Sequence, residues 1–214
     1  MLLEARGLRK EVQGRVLYTG LDLRLERGQT LAVRGPSGSG KSQLLRQLAG
    51  LDSDSRQGVA QVGDVLCRDR TFEQWNAFEW RTEVCFVPQQ APRLEGTPGE
   101  CAARIASFRQ QVARESEDPL LLAERFGIER TQWDQPWSEL SVGERQRSLL
   151  AIMLSRRPSV VLLDEPTAAL DEDSALAVEA ALEDQTCVWV THSSEQADRV
   201  ADSTLNLSKV NDAD

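Results

Sequence analysis

Residues 30–51 read TLAVRGPSGSGKSQLLRQLAGL, an apolar segment, a glycine-rich turn and an amphipathic segment in succession. Thr30–Val33 predicts a short strand, and Lys41–Leu51 predicts a helix with leucines on one face. The turn between them, Gly35–Ser42, matches the pattern G-x-x-x-x-G-K-[ST] without a mismatch. Such a turn folds its backbone N–H groups around phosphates, and the helix that follows adds a favourable dipole. This stretch, called the phosphate loop below, therefore predicts a nucleotide-phosphate site.

An acidic pair follows a second apolar segment, VVLLDEP, which begins at Val160. Four consecutive apolar residues predict a strand buried on both faces. Asp164 at its end is expected to hold Mg²⁺, directly or through water, and Glu165 to polarise an attacking water. Lys41 would reach the β- and γ-phosphates, and Ser42 would bind the same Mg²⁺. The pair could instead cap the next helix, but a complete phosphate loop earlier in the chain favours the catalytic interpretation.

The polar turn Leu140–Arg147 reads LSVGERQR and lies between these two features. In chain order there follow the acidic strand end, Ala169-Leu-Asp171 and Thr191-His192. This order resembles that of ATP-binding-cassette (ABC) ATPase subunits over nearly the whole chain. The turn Leu140–Arg147 matches the signature motif of that family, and it is called the signature turn below.

The resemblance implies roles for residues that carry little information alone. Gln89 matches the glutamine that touches Mg²⁺ and the attacking water, and His192 matches the histidine that contacts the γ-phosphate. Ser141 and Gly143 match residues that bind the γ-phosphate held by the other subunit of a dimer, and Asp171 matches an aspartate at the dimer seam. The expected catalytic residues are Glu165, His192 and Gln89, and the expected metal ligands are Ser42, Gln89 and Asp164. The expected ATP-binding residues are Gly35, Pro36, Ser37, Gly38, Ser39, Gly40, Lys41, Ser42, Gln43, Ser141, Gly143, Glu144 and Asp171.

Some positions depart from the family pattern. Val142 stands where the signature has its first glycine, and it would be strained if that position needs a positive φ. No aromatic residue lies near Val12, where the family stacks one on adenine, and Tyr18 is the nearest candidate. Gln43 replaces a frequent threonine and could still contact the α-phosphate. Asp171 could also be the N-cap of the helix that follows it.

The predicted fold class is α/β: a P-loop NTPase with a RecA-like core and a parallel sheet, an N-terminal antiparallel β-subdomain and an inserted α-helical subdomain. Residues 1–214 are expected to form a single ABC ATPase domain, with 1–88 and 155–214 as core and β-subdomain. About 89–154 would form the helical subdomain with the signature turn, and helical patterns run from Thr71 to about Leu154. Further predicted strands are 2–8, 19–26, 58–67, 160–164, 186–191 and 204–207. Further predicted helices are 72–81, 98–114, 119–126, 144–156, 172–183 and 194–201.

Composition narrows the class of protein. A net charge of −9 argues against nucleic acid as a partner, because phosphate backbones require clustered Lys and Arg. No apolar run approaches the roughly 20 residues that cross a bilayer, and the N-terminus does not resemble a secretory signal. Four scattered cysteines are expected to be reduced structural thiols. We expect a cytoplasmic protein held at the inner face of the membrane by a separate permease. Trp189 is expected in the core, and the other four tryptophans fit packing and an interface equally well.

The leading hypothesis is an ATP-binding and ATP-hydrolysing homodimer subunit of an ABC transporter, with ATP sandwiched between copies. Its length and the stretches Phe86–Gln90 and Ala123–Phe126 resemble small subunits of iron or metal exporters (FetA-like). Haem-export and lipoprotein-release ATPases, and a soluble non-transport ABC ATPase, are the alternatives. A P-loop kinase or GTPase leaves the signature turn unexplained, and a non-hydrolysing module leaves Glu165 and His192 unexplained.

Overall fold

The computed structural model describes residues 1–51, 62–108 and 115–207. The chain forms two compact units, the first of Met1–Phe86, Ser159–Asp164 and Asp184–Asp214, and the second of Val87–Pro158 and Glu165–Glu183. The strands are β1 (Leu3–Val12), β2 (Arg15–Leu25), β3 (Thr30–Arg34), β4 (Val62–Cys67), β5 (Arg70–Thr71), β6 (Val84–Val87), β7 (Val160–Asp164), β8 (Cys187–Val190) and β9 (Ser203–Asn206). The helices are α1 (Lys41–Leu48), α2 (Ala77–Glu83), α3 (Pro98–Ala106), α4 (Pro119–Arg125), α5 (Arg130–Trp133), α6 (Val142–Leu154), α7 (Glu172–Ala181) and α8 (Ser194–Val200).

The first unit contains an antiparallel sheet with the strand order β2-β1-β4-β5. Leu3 of the central strand pairs with Leu25 on one side and with Cys67 on the other. Buried and exposed residues alternate in much of β2, as the sequence Leu21-Asp-Leu-Arg-Leu25 predicts for a sheet with one wet face. The predicted antiparallel β-subdomain is therefore confirmed, although β1 runs four residues beyond the predicted end, to Val12.

A five-stranded sheet with the order β6-β7-β8-β3-β9 forms the rest of this unit's framework. β8 pairs in parallel with β7 and β3, and β3 pairs in parallel with β9. All five residues of β7 and all four of β8 are buried, as their continuous apolar sequences predict. Because the strands run in the same direction, the loops that follow β3, β7 and β8 begin at one edge of the sheet. The predicted α/β fold with a parallel sheet is confirmed.

The second unit is helical, and polar residues begin its helices. Thr97 and Glu100 form a capping box at α3, in which each side chain accepts a backbone N–H of the other residue. Asp118 caps α4 by accepting from the Leu120 N–H. The long helix α6 packs against α3 and α4 through its apolar side. The helices predicted over Pro119–Phe126 and Pro98–Arg114 are present as α4 and α3, but α3 ends at Ala106, before the predicted end; 109–114 lie outside the described residues.

The segment after Thr71 is less helical than predicted. Phe72–Gln74 is a single 3₁₀ turn, α2 begins only at Ala77, and Val84–Val87 is a strand where a helical pattern was expected. That strand is too short for its alternation to be recognised, and hydrogen bonding to the sheet decides its conformation. Of the predicted strand 58–67, the part before Val62 lies outside the described residues.

Most tryptophans serve packing. Trp189 is 1% exposed, which confirms its prediction as core, and Trp80, Trp133 and Trp137 are buried as well. Trp80 also donates its indole N–H to the Leu48 carbonyl at 3.0 Å. Packing is therefore the correct alternative for these three tryptophans.

The cysteines Cys67, Cys85 and Cys187 are buried free thiols. Burial raises their pKa to about 11, 12 and 12, respectively, which keeps them protonated at neutral pH. No helix in the described ranges is both long and apolar enough to cross a bilayer.

Candidate nucleotide-binding and hydrolysis site

The phosphate loop connects β3 to α1 in the first unit and is held by its own backbone. Gly38 and Gly40 have φ values of 76° and 100°, which a residue with a Cβ rarely adopts. Lys41 donates from Nζ to the carbonyls of Gly35 and Pro36 at 2.9 and 3.1 Å, so that its ammonium lies across the loop. The loop therefore positions a cation and the first N–H groups of a helix together, which is the arrangement that a polyphosphate requires.

Two further features of the loop fit a bound anion. Ser39 is 4% exposed, and its hydroxyl has no hydrogen-bond partner among the described residues. A Cβ built on Gly35 would lie 2.7 Å from that hydroxyl, so this position has no room for a side chain. Buried hydroxyls without partners are unfavourable, and a phosphate oxygen is an acceptor that would satisfy this one. The residues present thus fit ATP.

The two expected Mg²⁺ ligands of the first unit are in contact. Ser42 donates its hydroxyl to Oδ1 of Asp164 at 3.1 Å, which joins the start of α1 to the end of β7. A hydroxyl and a carboxylate are the hard oxygen ligands that Mg²⁺ prefers, and the ion usually takes its other ligands from phosphates and water. Ser42 and Asp164 would therefore hold Mg²⁺ beside the phosphates.

His192 lies in the short loop between β8 and α8 and is exposed. Thr191 before it is buried and accepts the Ser193 N–H at 3.1 Å, and Ser193 caps α8. The loop is therefore held on both sides of the histidine. The loop that carries His192 starts at the same sheet edge as the phosphate loop, because β8 and β3 are parallel neighbours.

Gln89 and Glu165 form a contact within the second unit. Gln89 donates from Nε2 to Oε2 of Glu165 at 3.0 Å. Glu165 has a φ of 48°, a left-handed conformation that is uncommon for a residue with a side chain and costs about 1–3 kcal/mol. Strain of this kind occurs at functional sites, where the surrounding structure imposes the conformation. The contact assembles the predicted water-activating carboxylate and the predicted water-binding amide.

The signature turn is organised by a capping box at the start of α6. Ser141 accepts the Glu144 N–H at 3.2 Å, and Glu144 accepts the Ser141 N–H at 2.7 Å. The other carboxylate oxygen of Glu144 accepts from Gln132 at 2.6 Å. The hydrogen bonds, the Ser141 backbone N–H first, lower the pKa of Glu144. Ser141 itself is exposed at the start of α6, and its side chain also bonds to the Glu144 carboxylate.

The signature turn also packs against the loop Ala169–Asp171, called the aspartate loop below. A Cβ on Gly143 would lie 3.3 Å from the Ala169 carbonyl oxygen and 3.4 Å from Leu170, so glycine permits this close approach. Asp171 caps α7 by accepting the Ser174 N–H at 2.9 Å, which confirms the predicted N-cap. The bonds from the Ser174 N–H and hydroxyl lower the pKa of Asp171.

Comparison with known proteins identifies the family. The sequence model of the ABC transporter family matches residues 18–168, which is most of the chain. The chain belongs to the ABC transporter family.

Individual relatives agree with this result. YjkB of Bacillus subtilis (strain 168), described as an ABC transporter ATP-binding protein, is 36% identical over 184 residues, covering 83% of this chain and 70% of YjkB. The aliphatic sulfonates import ATP-binding protein SsuB 1 of Nocardia farcinica (strain IFM 10152) is 33% identical over 210 residues, covering 95% of this chain and 76% of SsuB 1. A dimeric structure of the ATP-binding cassette MJ0796 with ADP and Pi shares the fold, with a TM-score of 0.78, 22% identity, and coverage of 96% of this chain and 94% of that one.

This ABC protein is thus an ATP-binding subunit and an ATP hydrolase that uses Mg²⁺. Each compact unit holds part of the predicted machinery. The first holds the phosphate loop, Ser42, Asp164 and His192, and the second holds Gln89, Glu165, the signature turn and Asp171.

The structure shows the conformation and exposure of the residues that depart from the ABC pattern. Val142 does not have a positive φ, since it occupies the first position of α6, and it is 49% exposed, so the conditional strain does not arise. Tyr18 is fully buried and donates to Oε1 of Gln47 at 2.7 Å, so it was wrong as a candidate for stacking on adenine. Gln43 is partly exposed at the first turn of α1.

Sequence reasoning missed two residues that connect α6 of this ABC protein to other parts of the second unit. Gln146 donates to the carbonyl of Pro88 at 2.9 Å, next to Gln89. Arg147 donates to the Phe126 carbonyl at 2.8 Å and to the Ser174 hydroxyl at 2.9 Å. The available signal was that Gln146 lies at helical spacing from Leu149 and Leu150, on a face that is otherwise apolar.

Proposed function

We propose that two copies of this chain bind two ATP molecules between them, each copy giving its phosphate loop to one nucleotide and its signature turn to the other. The observation that carries the proposal is the state of Ser141. Its hydroxyl is exposed at the N-terminus of α6 and is oriented by its bonds with Glu144. An exposed hydroxyl held at a helix N-terminus is suited to a phosphate that another molecule presents.

On the phosphate-loop side, Lys41 would exchange its carbonyl partners for the β- and γ-phosphate oxygens. Ser42 and Asp164, already in contact, would hold Mg²⁺. When bound, Mg²⁺ neutralises charge on the phosphates and favours attack at the γ-phosphorus. His192 would donate to the γ-phosphate from its held loop.

Hydrolysis would depend on the contact between Gln89 and Glu165. Glu165 would accept a proton from the attacking water, and the Gln89 amide would orient both the carboxylate and the water. The left-handed backbone of Glu165 supports this assignment because an uncommon conformation is held there by the surrounding structure. Asp171, whose lowered pKa keeps it charged, would act at the seam between the two copies.

We propose further that residues 1–214 work as one ABC ATPase domain that drives a separate membrane permease. Closure of the dimer on ATP and reopening after hydrolysis would supply the two states that the permease follows. The chain would then act at the cytoplasmic face of the membrane. Its net charge of −9 supports a protein partner rather than nucleic acid.

For the transported substrate, we propose export of iron or another metal. This rests on the resemblance of Phe86–Gln90 and Ala123–Phe126 to small exporter subunits. Export of haem or lipoprotein, and a soluble role without transport, are the alternatives; SsuB 1, by contrast, carries the name of an importer. The permease that co-purifies with the chain distinguishes these candidates.

The proposed hydrolysis is tested by Glu165→Gln. The amide cannot accept the proton of water, so kcat is expected to fall by about 100-fold or more, while ATP binding persists and traps a dimer. ATP turnover and size-exclusion chromatography with ATP measure these two effects. The control is Glu172→Gln, an exposed carboxylate at the start of α7. Unchanged turnover in the Glu165 variant would refute the base assignment.

A further inference from the structure

Gln146 is a buried amide in the second turn of α6. It is 2% exposed and lies two residues after Glu144 of the signature turn, with Leu149 and Leu150 on the same face as Gln146. Its Nε2 donates to the Pro88 carbonyl oxygen at 2.9 Å. A carbonyl only accepts, so the amide must direct its NH₂ group to Pro88. This leaves Oε1 of Gln146 buried and without a hydrogen-bond partner among the described residues.

The bond to Pro88 constrains Gln89. The carbonyl of Pro88 and the N–H of Gln89 belong to one planar peptide group, so orienting the first orients the second. The ring of Pro88 fixes its own φ, and its ψ is the remaining rotation that sets the Cα of Gln89. The bond from Gln146 holds that rotation. Gln89 then reaches Glu165 at 3.0 Å with an otherwise exposed side chain.

Stability alone does not account for an amide at this position. A methionine or leucine would fill the same apolar surroundings without burying an unpaired Oε1, which is unfavourable. Among the described residues, the amide hydrogen-bonds only to the peptide group that carries Gln89. The hydrogen bond of the Gln146 amide therefore bears on the orientation of the Pro88–Gln89 peptide group.

We propose that Gln146 is a positioning residue for hydrolysis: it fixes the Pro88–Gln89 peptide group so that the Gln89 amide meets Glu165. Helix α6 and the Gln89–Glu165 contact are thereby joined within one chain. This inference rests on the proposed roles of Gln89 and Glu165. It assigns Gln146 no contact with ATP, Mg²⁺ or water.

The first test is Gln146→Met, which keeps an unbranched side chain and removes the donor. We expect kcat to fall by about 10-fold with the KM for ATP unchanged, because binding groups are untouched. In the Gln89→Ala background the same change should have no further effect, since the residue that Gln146 positions is already absent. An additive loss in the double variant overturns the proposal. Gln146→Leu repeats the measurement with a different apolar shape in case methionine packs poorly.

The second test is a crystal structure of Gln146→Met, which needs no turnover. The Pro88 carbonyl should rotate, and the distance from Gln89 Nε2 to Glu165 should exceed hydrogen-bonding range. An unchanged peptide group and an unchanged contact overturn the proposal.

Gln47→Met is the matched control. Gln47 is also 2% exposed, and its amide bonds to Tyr18 and to the Arg9 carbonyl, in the other compact unit. Its effect on kcat should add to that of Gln89→Ala, and thermal unfolding shows whether the two methionine variants are equally destabilised. If Glu165→Gln and Gln89→Ala both keep normal turnover, the proposed function fails. If both variants hydrolyse ATP slowly but the effects of Gln146→Met and Gln89→Ala are additive, the proposed function stands and only the positioning role of Gln146 is refuted.

Discussion

The phosphate loop and the signature turn both present donors to phosphate, but different contacts hold them. In the phosphate loop, Lys41 bonds to carbonyls five and six residues before it, and glycines supply the turn. In the signature turn, the capping box is local, but Arg147 bonds to Ser174, 27 residues later, and Gln146 bonds to Pro88, 58 residues earlier. One site is built from adjacent residues, and the other depends on the packing of a whole helical unit.

The comparison predicts that the two regions fail in different ways. Lys41→Ala should weaken ATP binding and lower turnover by about 100-fold or more, since the ammonium is the loop's cation. Ser141→Arg should keep ATP binding by each subunit and abolish turnover, since the larger side chain would prevent the signature turn from contacting the nucleotide held by the partner. Mixed together, the two variants should recover turnover, because each heterodimer has one intact pair. Nucleotide binding and ATPase assays measure this.

The controls are each variant alone, at the same total concentration. If the mixture forms no ATP-dependent dimer and recovers no turnover, the nucleotide is not shared between copies.

A smaller effect is expected for Gly143→Ala. Its Cβ would lie 3.3 Å from the Ala169 carbonyl oxygen, so the aspartate loop must shift by a few tenths of an ångström. Turnover should fall by about 5-fold while the Kd for ATP is unchanged, because in the proposed dimer the loop would face the partner's nucleotide. Stopped-flow binding and steady-state turnover separate the two quantities.

Gly99→Ala is the matched control, because its Cβ would lie 3.0 Å from Trp133, in a helix of the same unit. It should lower stability without changing turnover. Equal losses of turnover in both variants would show that crowding anywhere in the second unit lowers turnover, and that the contact with the aspartate loop has no special role.

The smallest effect concerns pH. The pKa of Glu144 is lowered in the folded protein, chiefly because its carboxylate accepts the Ser141 N–H. A carboxyl whose folded pKa is depressed stabilises the protein above its unfolded pKa, and that contribution is lost as the pH falls through the folded value. Glu144→Gln should therefore be less stable than the parent at about pH 6, and the difference should be smaller at about pH 3. Urea unfolding at both pH values measures it.

Glu124→Gln, at an exposed position in α4, controls for the loss of a charge. A stability difference for Glu144→Gln that is the same at both pH values would contradict the assigned cause.

The sequence predicted best where a motif determines its own conformation. The strand Val160–Asp164 has its predicted bounds, and α1 and α7 begin at their predicted residues, Lys41 and Glu172. Glycines, caps and a continuous apolar run act over a few residues, so their effect is visible in the chain itself. The predicted nucleotide-binding residues of the phosphate loop lie in a motif of this kind.

Prediction failed where neighbours in space decide. Val84–Val87 is a strand because the sheet provides hydrogen-bond partners, which a four-residue pattern cannot show. Tyr18 could not be excluded as a stacking residue until its burial against Gln47 was visible. The left-handed φ of Glu165 and the partners of Gln146 and Arg147 likewise have no signature in the local sequence.

The sequence by itself thus determined the ABC family, the phosphate loop and the order of the chemical groups, because backbone conformation and local capping are encoded in adjacent residues. Tertiary structure alone decided that Val142 is unstrained, that Gln89 meets Glu165, and that Gln146 bonds to the Pro88 carbonyl. The physical reason is the separation of these residues along the chain. These contacts join residues far apart in the chain, and only the packing of strands and helices brings their atoms within hydrogen-bonding distance.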